Sequence, residues 1–233
     1  MEWKRKKNDY DIITFEGEYI NGKLWNAKSY DNKIVYRLKE GEGFFKELDA
    51  IYQIIYEGEY FNGKRCGKGK EYDLKGGLIF EGEYKNGEKN GKGKEYYLNG
   101  NIKFEGDYLN GKYWNGKGYS KLNNNIEYEL KNGKGYIKVY DYFNDDELAF
   151  EGEYKDGFMN GKVKEYNEDG SLKFEGENIN GFRNGKGKEY NYFNSQLMFE
   201  GEYLYDFKLK GKFYDNGKLE YEGEYLYNKK WNG

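Results

Sequence analysis

Carboxylates two residues apart, such as Glu81 and Glu83, are the side chains here best spaced for acid–base chemistry. Two carboxyls held at different pKa values are the machinery of glycoside hydrolysis. The same pair recurs at Glu57 and Glu59, Glu151 and Glu153, Glu175 and Glu177, and Glu200 and Glu202. A catalytic pair is singular and desolvated. Carboxylates that repeat opposite lysines on a solvated face are structural, so no catalytic residue is assigned and the chain is expected not to be an enzyme.

Other chemistries fail on residue types. With no His and one Cys, zinc sites of the usual kind and Ser–His or Cys–His nucleophiles are excluded. No metal and no cofactor is expected. The Gly-x-Gly segments, such as Gly67-Lys68-Gly69, are not phosphate loops, because they sit in strands, lack a following helix and recur too often. Cys66 falls at a turn position and is incidental; being alone, it excludes an internal disulfide framework.

The 39 basic and 42 acidic residues nearly cancel, which does not suggest a nucleic-acid binder. The local exception, Lys4-Arg5-Lys6-Lys7, reads as a solvated tail. The first residues lack a signal-peptide core, and no run approaches the ~20 apolar residues of a membrane span. A soluble cytoplasmic protein is expected, with a peripheral place at a membrane or the cytoskeleton as a variant.

What must position these residues is a repeat. Phe15-Glu16-Gly17-Glu18-Tyr19 recurs with small changes from Tyr56, Phe80, Phe104, Phe150, Phe174, Phe199 and Tyr221. Degenerate copies start at Ile34 and Ile126, giving ten. A second motif follows most first motifs, as in Gly91-Lys92-Gly93-Lys94-Glu95-Tyr96, across a turn such as Asn86-Gly87. Asn-Gly tolerates the positive φ of tight hairpins. A Trp-Asn pair closes the turn at Trp25-Asn26 and Trp114-Asn115 and returns at Trp231-Asn232. Because the chain stops there, the last copy is expected to lack its second strand and the chain to be a piece of a longer array. Residues 1–14 form an N-terminal basic, capping segment, and 15–233 the array.

The register follows from the turns. A two-residue turn at Asn99-Gly100 puts Tyr97 opposite Ile102, Glu95 opposite Phe104 and Gly93 opposite Gly106; Lys94 then meets Glu105 and Lys92 meets Asp107. The same rule at Asp169-Gly170 and Lys75-Gly76 gives the same pairing. Alternation makes one face of Lys opposite Glu or Asp, and another of Phe, Gly and Tyr. Facing glycines leave a gap that a ring can cover. The fold class expected is all-β: a single-layer antiparallel meander of tandem hairpins, forming a twisted rod ~90–100 Å long.

Tyr/Phe-Glu-Gly-Glu-Tyr, Asn-Gly-Lys and Gly-Lys-Gly at about 23 residues resemble the MORN (membrane occupation and recognition nexus) repeat, across roughly residues 15–233. Tyr56–Gly69 and Phe80–Gly93 match best. Asn178 replaces the usual aromatic in copy eight, Val163 replaces the second Gly in copy seven, and copies two and six lack the Gly of the first motif; bending or thinning is expected there. The resemblance implies a protein-interaction scaffold, with membranes or phosphoinositides, dimers and partner helices as the ligands of some relatives.

A long aromatic face on a one-layer sheet marks an interaction site. The expected function is a scaffold that binds a protein partner, or itself, through Phe80, Tyr84, Tyr97, Phe104, Tyr108, Trp114, Phe150, Tyr154, Phe174, Phe199 and Tyr203. The alternative is peripheral membrane or phosphoinositide binding to anionic lipid, although Glu matches each Lys row. Carbohydrate stacking, or no independent function, are weaker alternatives.

Overall fold

The computed structural model describes residues 2–7, 13–31, 34–48, 53–140 and 147–232. Part of the N-terminal segment, residues 8–12, lies outside them. The chain forms two compact units, Met1–Gly116 with Lys121–Asn124, and Lys117–Ser120 with Asn125–Gly233.

All described elements are strands. The first are β1 (Glu2–Lys7), β2 (Ile13–Ile20), β3 (Lys23–Asp31) and β4 (Ile34–Leu38). Next come β5 (Gly43–Leu48), β6 (Ile54–Phe61), β7 (Lys64–Tyr72), β8 (Leu78–Lys85), β9 (Glu88–Tyr96), β10 (Ile102–Leu109) and β11 (Lys112–Tyr119). The second unit adds β12 (Ile126–Lys131), β13 (Lys134–Tyr140), β14 (Leu148–Lys155), β15 (Phe158–Tyr166) and β16 (Leu172–Ile179). It ends with β17 (Phe182–Tyr190), β18 (Leu197–Leu204), β19 (Phe207–Asp215), β20 (Lys218–Leu226) and β21 (Lys229–Asn232). Within each unit the strands from β5 onward are antiparallel hairpins laid side by side in chain order. All ten repeat copies begin with a strand.

Four expectations are corrected here. The last copy does have a second strand, since β21 pairs with β20 through Tyr225 and Lys230. Lys4–Lys7 is not a tail: β1 lies along β2, with Lys4 opposite Gly17 and Arg5 opposite Glu16. The meander is not continuous, because β1–β4 form their own sheet and a new one starts at β5. The break falls in degenerate copy two, where β4 has only five residues and a Glu40-Gly41 turn replaces Asn-Gly. The Trp-Asn pairs stand in strands rather than turns; their amides donate to the facing acids, Asn26 to Glu18 at 2.7 Å and Asn115 to Asp107 at 3.2 Å.

The Asn-Gly turns are as expected, with positive φ at both residues, for example Asn86 at 56° and Gly87 at 94°. They stack along one rim: the Gly87 N–H donates to the Arg65 carbonyl and that of Gly111 to Lys89. The turns of the opposite rim differ from expectation. Tyr97 exchanges its bonds with Asn101 and Gly100, which makes a three-residue loop. Ile102 therefore pairs with Tyr96, not Tyr97. One extra residue, Lys103, then bulges out of β10 and restores Glu95 opposite Phe104 and Gly93 opposite Gly106. The same loop and bulge occur at 73–77 and 167–171.

Candidate functional site

The two faces of the sheet differ in what they leave open. On one face the first-motif ring lies back over glycine in most copies, Phe150 excepted. A Cβ on Gly82 would stand 2.7 Å from the Phe80 ring, and one on the facing Gly93 also 2.7 Å from it. Tyr56, Phe104, Phe174 and Phe199 cover their own glycine pairs likewise. The rings then meet edge to face, Phe80 with Tyr84 at 5.6 Å and with Tyr108 at 5.2 Å. A lid closes this layer. Arg65 lies 3.9 Å from the Tyr56 ring, Lys89 4.0 Å from Phe80, Arg183 4.1 Å from Phe174 and Lys208 4.6 Å from Phe199. In copy five Tyr113 takes the same place, stacked 4.1 Å from Phe104.

Carboxylates of the second motif hold the lids. Arg183 bonds Glu165 and Glu189, and Glu189 also pairs with Lys208 at 2.6 Å. Arg65 bonds Glu47 and Glu71 at 2.8 and 2.9 Å. Tyr60 and Tyr108 donate to Glu47 and Glu95. Burial, then Glu71, pushes the Tyr84 phenol far above its usual range.

This corrects the expected binding face. Phe80, Phe104, Phe174 and Phe199 are 0% exposed, and Tyr84, Tyr97, Tyr108, Tyr154 and Tyr203 are buried. They are the core of a one-layer sheet, not an accessible surface. Trp114 is half-buried. Phe150 alone of this set is open, at 39%. Its seat is taken: the facing residue is Val163, and a Cβ on Gly152 would meet Val163 rather than a ring.

The sequence pattern missed the lids. Arg65, Lys89, Arg183 and Lys208 all stand two residues after a turn, and that periodic cation was the signal available. Cys66 is in β7 opposite Glu59, not in a turn, and burial followed by Glu59 and Glu42 raises its thiol pKa, away from a reactive thiolate.

The open ground is the Lys–Glu face. In the second unit a groove of about 840 Å³ has the backbone of Gly176, Gly187, Gly201 and Gly211 as its floor. Two rails of alternating charge wall it, Glu175, Lys188, Glu200 and Lys212 on one side, and Glu177, Lys186, Glu202 and Lys210 on the other. The first unit has a groove of about 810 Å³ with the same construction, over Gly69, Gly82, Gly93 and Gly106. Rung partners form ion pairs, Lys94 with Glu105 at 3.1 Å and Lys210 with Glu202 at 3.2 Å. At these exposures each adds little stability. Tyr96 and Tyr190 extend one rail, donating to Glu81 at 2.7 Å and Glu175 at 2.8 Å.

The inner carboxylate also shapes the backbone. Four hairpins, β6–β7, β8–β9, β14–β15 and β16–β17, carry two extra residues beside a glycine with positive φ, as at Gly91 (105°) and Gly185 (109°). Glu83 accepts the freed Lys92 N–H at 2.9 Å, and Glu177 that of Lys186 at 3.1 Å. The carboxylate pairs that resembled an acid–base couple thus cap bulges and accept hydrogen bonds from tyrosine hydroxyls. Among the described residues no group of three His, Cys, Asp or Glu converges as a metal site requires.

Tandem hairpins with rings sealed on one face and a glycine-floored groove on the other define a repeat scaffold. The chain carries MORN repeats: the model of the family MORN repeat matches residues 56–77, 80–102, 150–171 and 174–191. No curated protein matches the chain.

Proposed function

We propose that the chain is a non-enzymatic scaffold that holds a protein partner in the Lys–Glu groove. The observation that carries this is the position of the grooves: the face that alternation made aromatic is sealed, and the charged face is open. An all-β repeat scaffold is not a known enzyme type. Each rail alternates Lys with Glu, so the groove has little net potential. That balance favours a polypeptide of mixed charge over nucleic acid or an anionic bilayer. A cytoplasmic place accords with a lone free thiol.

The test is affinity capture with crosslinking mass spectrometry, comparing the wild-type chain with Lys186→Glu/Lys210→Glu, which makes one rail wholly acidic. The expected result is a protein crosslinked to groove residues of the wild type and lost from the variant. Flotation of the chain with anionic vesicles at physiological salt, with no such crosslinks, overturns the proposal in favour of a lipid surface.

A further inference from the structure

On the sealed face a second-motif glutamate holds two cations where the repeat is regular. Glu71 takes Arg65 from its own strand at 2.9 Å and Lys89 from the next hairpin at 3.2 Å. Glu189 takes Arg183 at 2.8 Å and Lys208 at 2.6 Å in the same way. Glu47 is the matching residue of β5, since it faces Tyr56 as Glu71 faces Phe80. Gly43 pairs with Tyr60 as Gly67 pairs with Tyr84, which puts Gly41 where Arg65 would stand. Gly41 is a turn residue with a φ of 77° and has no side chain to offer. Glu47 therefore has Arg65 as its one cation, bonded from Nε at 3.0 Å and Nη2 at 2.8 Å, and accepts also from the Tyr60 hydroxyl. A carboxylate has about four acceptor positions. Oε1 uses its share on Tyr60 and Arg65, whereas Oε2 has Arg65 alone. Glu165 in the second unit also has one cation, Arg183, but there Met159 stands at the own-strand position and the glutamate is buried.

Glu47 instead lines a cavity of about 310 Å³ within the first unit. The other walls are mainly rings, Phe15 and Tyr19 of β2, Phe45 of β5 and Tyr60 of β6. Phe45 meets Phe15 and Tyr60 edge to face, each at 6.1 Å. Leu24 completes the wall at the lid place of copy one, two residues after the turn, where other copies carry Arg or Lys. Among the described residues no lysine or arginine covers Phe15 or Phe45, while Lys46 and Arg65 cover Tyr36 and Tyr56. One rim ties the walls together: the Gly41 N–H donates to the Trp25 carbonyl at 2.7 Å and that of Gly63 to the Gly41 carbonyl at 2.9 Å.

We infer that this cavity binds an organic cation, an ammonium or guanidinium group on an aliphatic stem. Ring faces attract a cation and a carboxylate bonds it. The chain builds that same arrangement four times with its own side chains, Arg65, Lys89, Arg183 and Lys208, each 3.9 to 4.6 Å from a ring and bonded to a glutamate. A calcium or magnesium ion does not suit the site, because it needs about six oxygen ligands and these walls are rings and leucines around one carboxylate. An anion meets the charge of Glu47, and a neutral apolar ligand leaves Oε2 without a further donor. The volume is at the low end for small-ligand sites, roughly 300–1,000 Å³, and suits a free amine or a single lysine or arginine side chain. The site is on the sealed face and does not depend on the groove reading.

The test is a nuclear magnetic resonance titration of the isotope-labelled full chain with n-butylammonium, with 1-butanol as its neutral counterpart, and with a blocked Gly-Lys-Gly peptide. Wild type is compared with Glu47→Gln and with Leu24→Lys, which supplies the chain's own cation at the lid place; circular dichroism checks both folds. The expected result is saturable shifts at the amides of Phe45, Glu47 and Tyr60 with butylammonium, and binding about tenfold weaker for 1-butanol and for either variant. Should Glu47→Gln unfold, Leu24→Lys decides alone. The peptide binding as tightly as butylammonium identifies a polypeptide side chain as the ligand; butylammonium binding alone identifies a free amine. No saturable binding of butylammonium, equal affinity for 1-butanol, or an affinity unchanged by Leu24→Lys overturns the inference.

Discussion

The contact that recurs through this protein is a ring lying on two facing glycines, and Val163 shows what happens when one glycine is lost. There the ring of Phe150 is turned out while its counterparts are fully covered. Gly187→Ala would place a Cβ 2.5 Å from the Phe174 ring and 3.1 Å from Tyr203, with Arg183 closing the far side. Overpacking of this kind costs about 2 kcal/mol, and urea unfolding of the variant should show it as a lower midpoint. An unchanged midpoint would mean that the ring shifts freely and that the glycine pairs are not required. The tyrosines give a second expectation. Burial, followed by the hydrogen bonds to Glu81 and Glu175, pushes the phenols of Tyr96 and Tyr190 up to about 12. A folded-state pKa above the unfolded value near 10 stabilises the protein fully below pH 10, and that stability is lost as pH rises toward 12. Phenolate absorbance should therefore lag behind free tyrosine above pH 10 and then rise together with loss of the far-ultraviolet dichroism. All 28 tyrosines titrating near pH 10 with the fold intact would contradict this.

At the level of hairpins, the turns carry local strain where the sequence departs from Asn-Gly. Tyr205 and Asp206 both hold positive φ, 48° and 67°. Asp206 has a reason to stay, because its carboxylate accepts the Arg183 N–H at 2.8 Å. Tyr205 has none in the backbone, and a bulky residue is disfavoured there. Tyr205→Asn should stabilise the protein by about 0.5–1 kcal/mol, read as a higher melting temperature; a lower one would show that its ring contact with Phe182 matters more. The strand rungs were legible in the sequence for a reason the turns did not reveal. A two-residue loop and a three-residue loop with one bulged residue give the same pairing beyond the bulge, so Glu71, Glu95 and Glu165 met Phe80, Phe104 and Phe174 either way. Which face is closed was not legible. Alternation separates Phe-Gly-Tyr from Lys-Glu, but it does not show Arg65 or Arg183 folding back over the rings. Long cationic stems beside glutamates read as surface until the hairpins are stacked. Most of the candidate residues therefore pack as core, while Phe150 is open and Trp114 half-buried.

At the level of the whole chain, most pairing is between neighbours in sequence, so stability should be a sum of local interfaces rather than one global quantity. Those interfaces are unequal. β16 meets β15 in six rungs, whereas β12 meets β13 in only two, Leu130 with Gly135 and Lys131 with Lys134. β4, in the other degenerate copy, pairs with β3 but ends its sheet. Both weak strands belong to copies without the first-motif glycine. Neither has a ring over a facing pair of glycines; in copy six the Tyr128 ring lies over Gly118 alone. Native-state hydrogen exchange should then dip at Ile34–Leu38 and Ile126–Lys131, with amides at least tenfold faster than those of Leu172–Ile179, a difference of about 1.4 kcal/mol in opening free energy. Equal protection across β4, β12 and β16 would show that each unit opens only as a whole, and that the glycine–ring contacts do not set local stability.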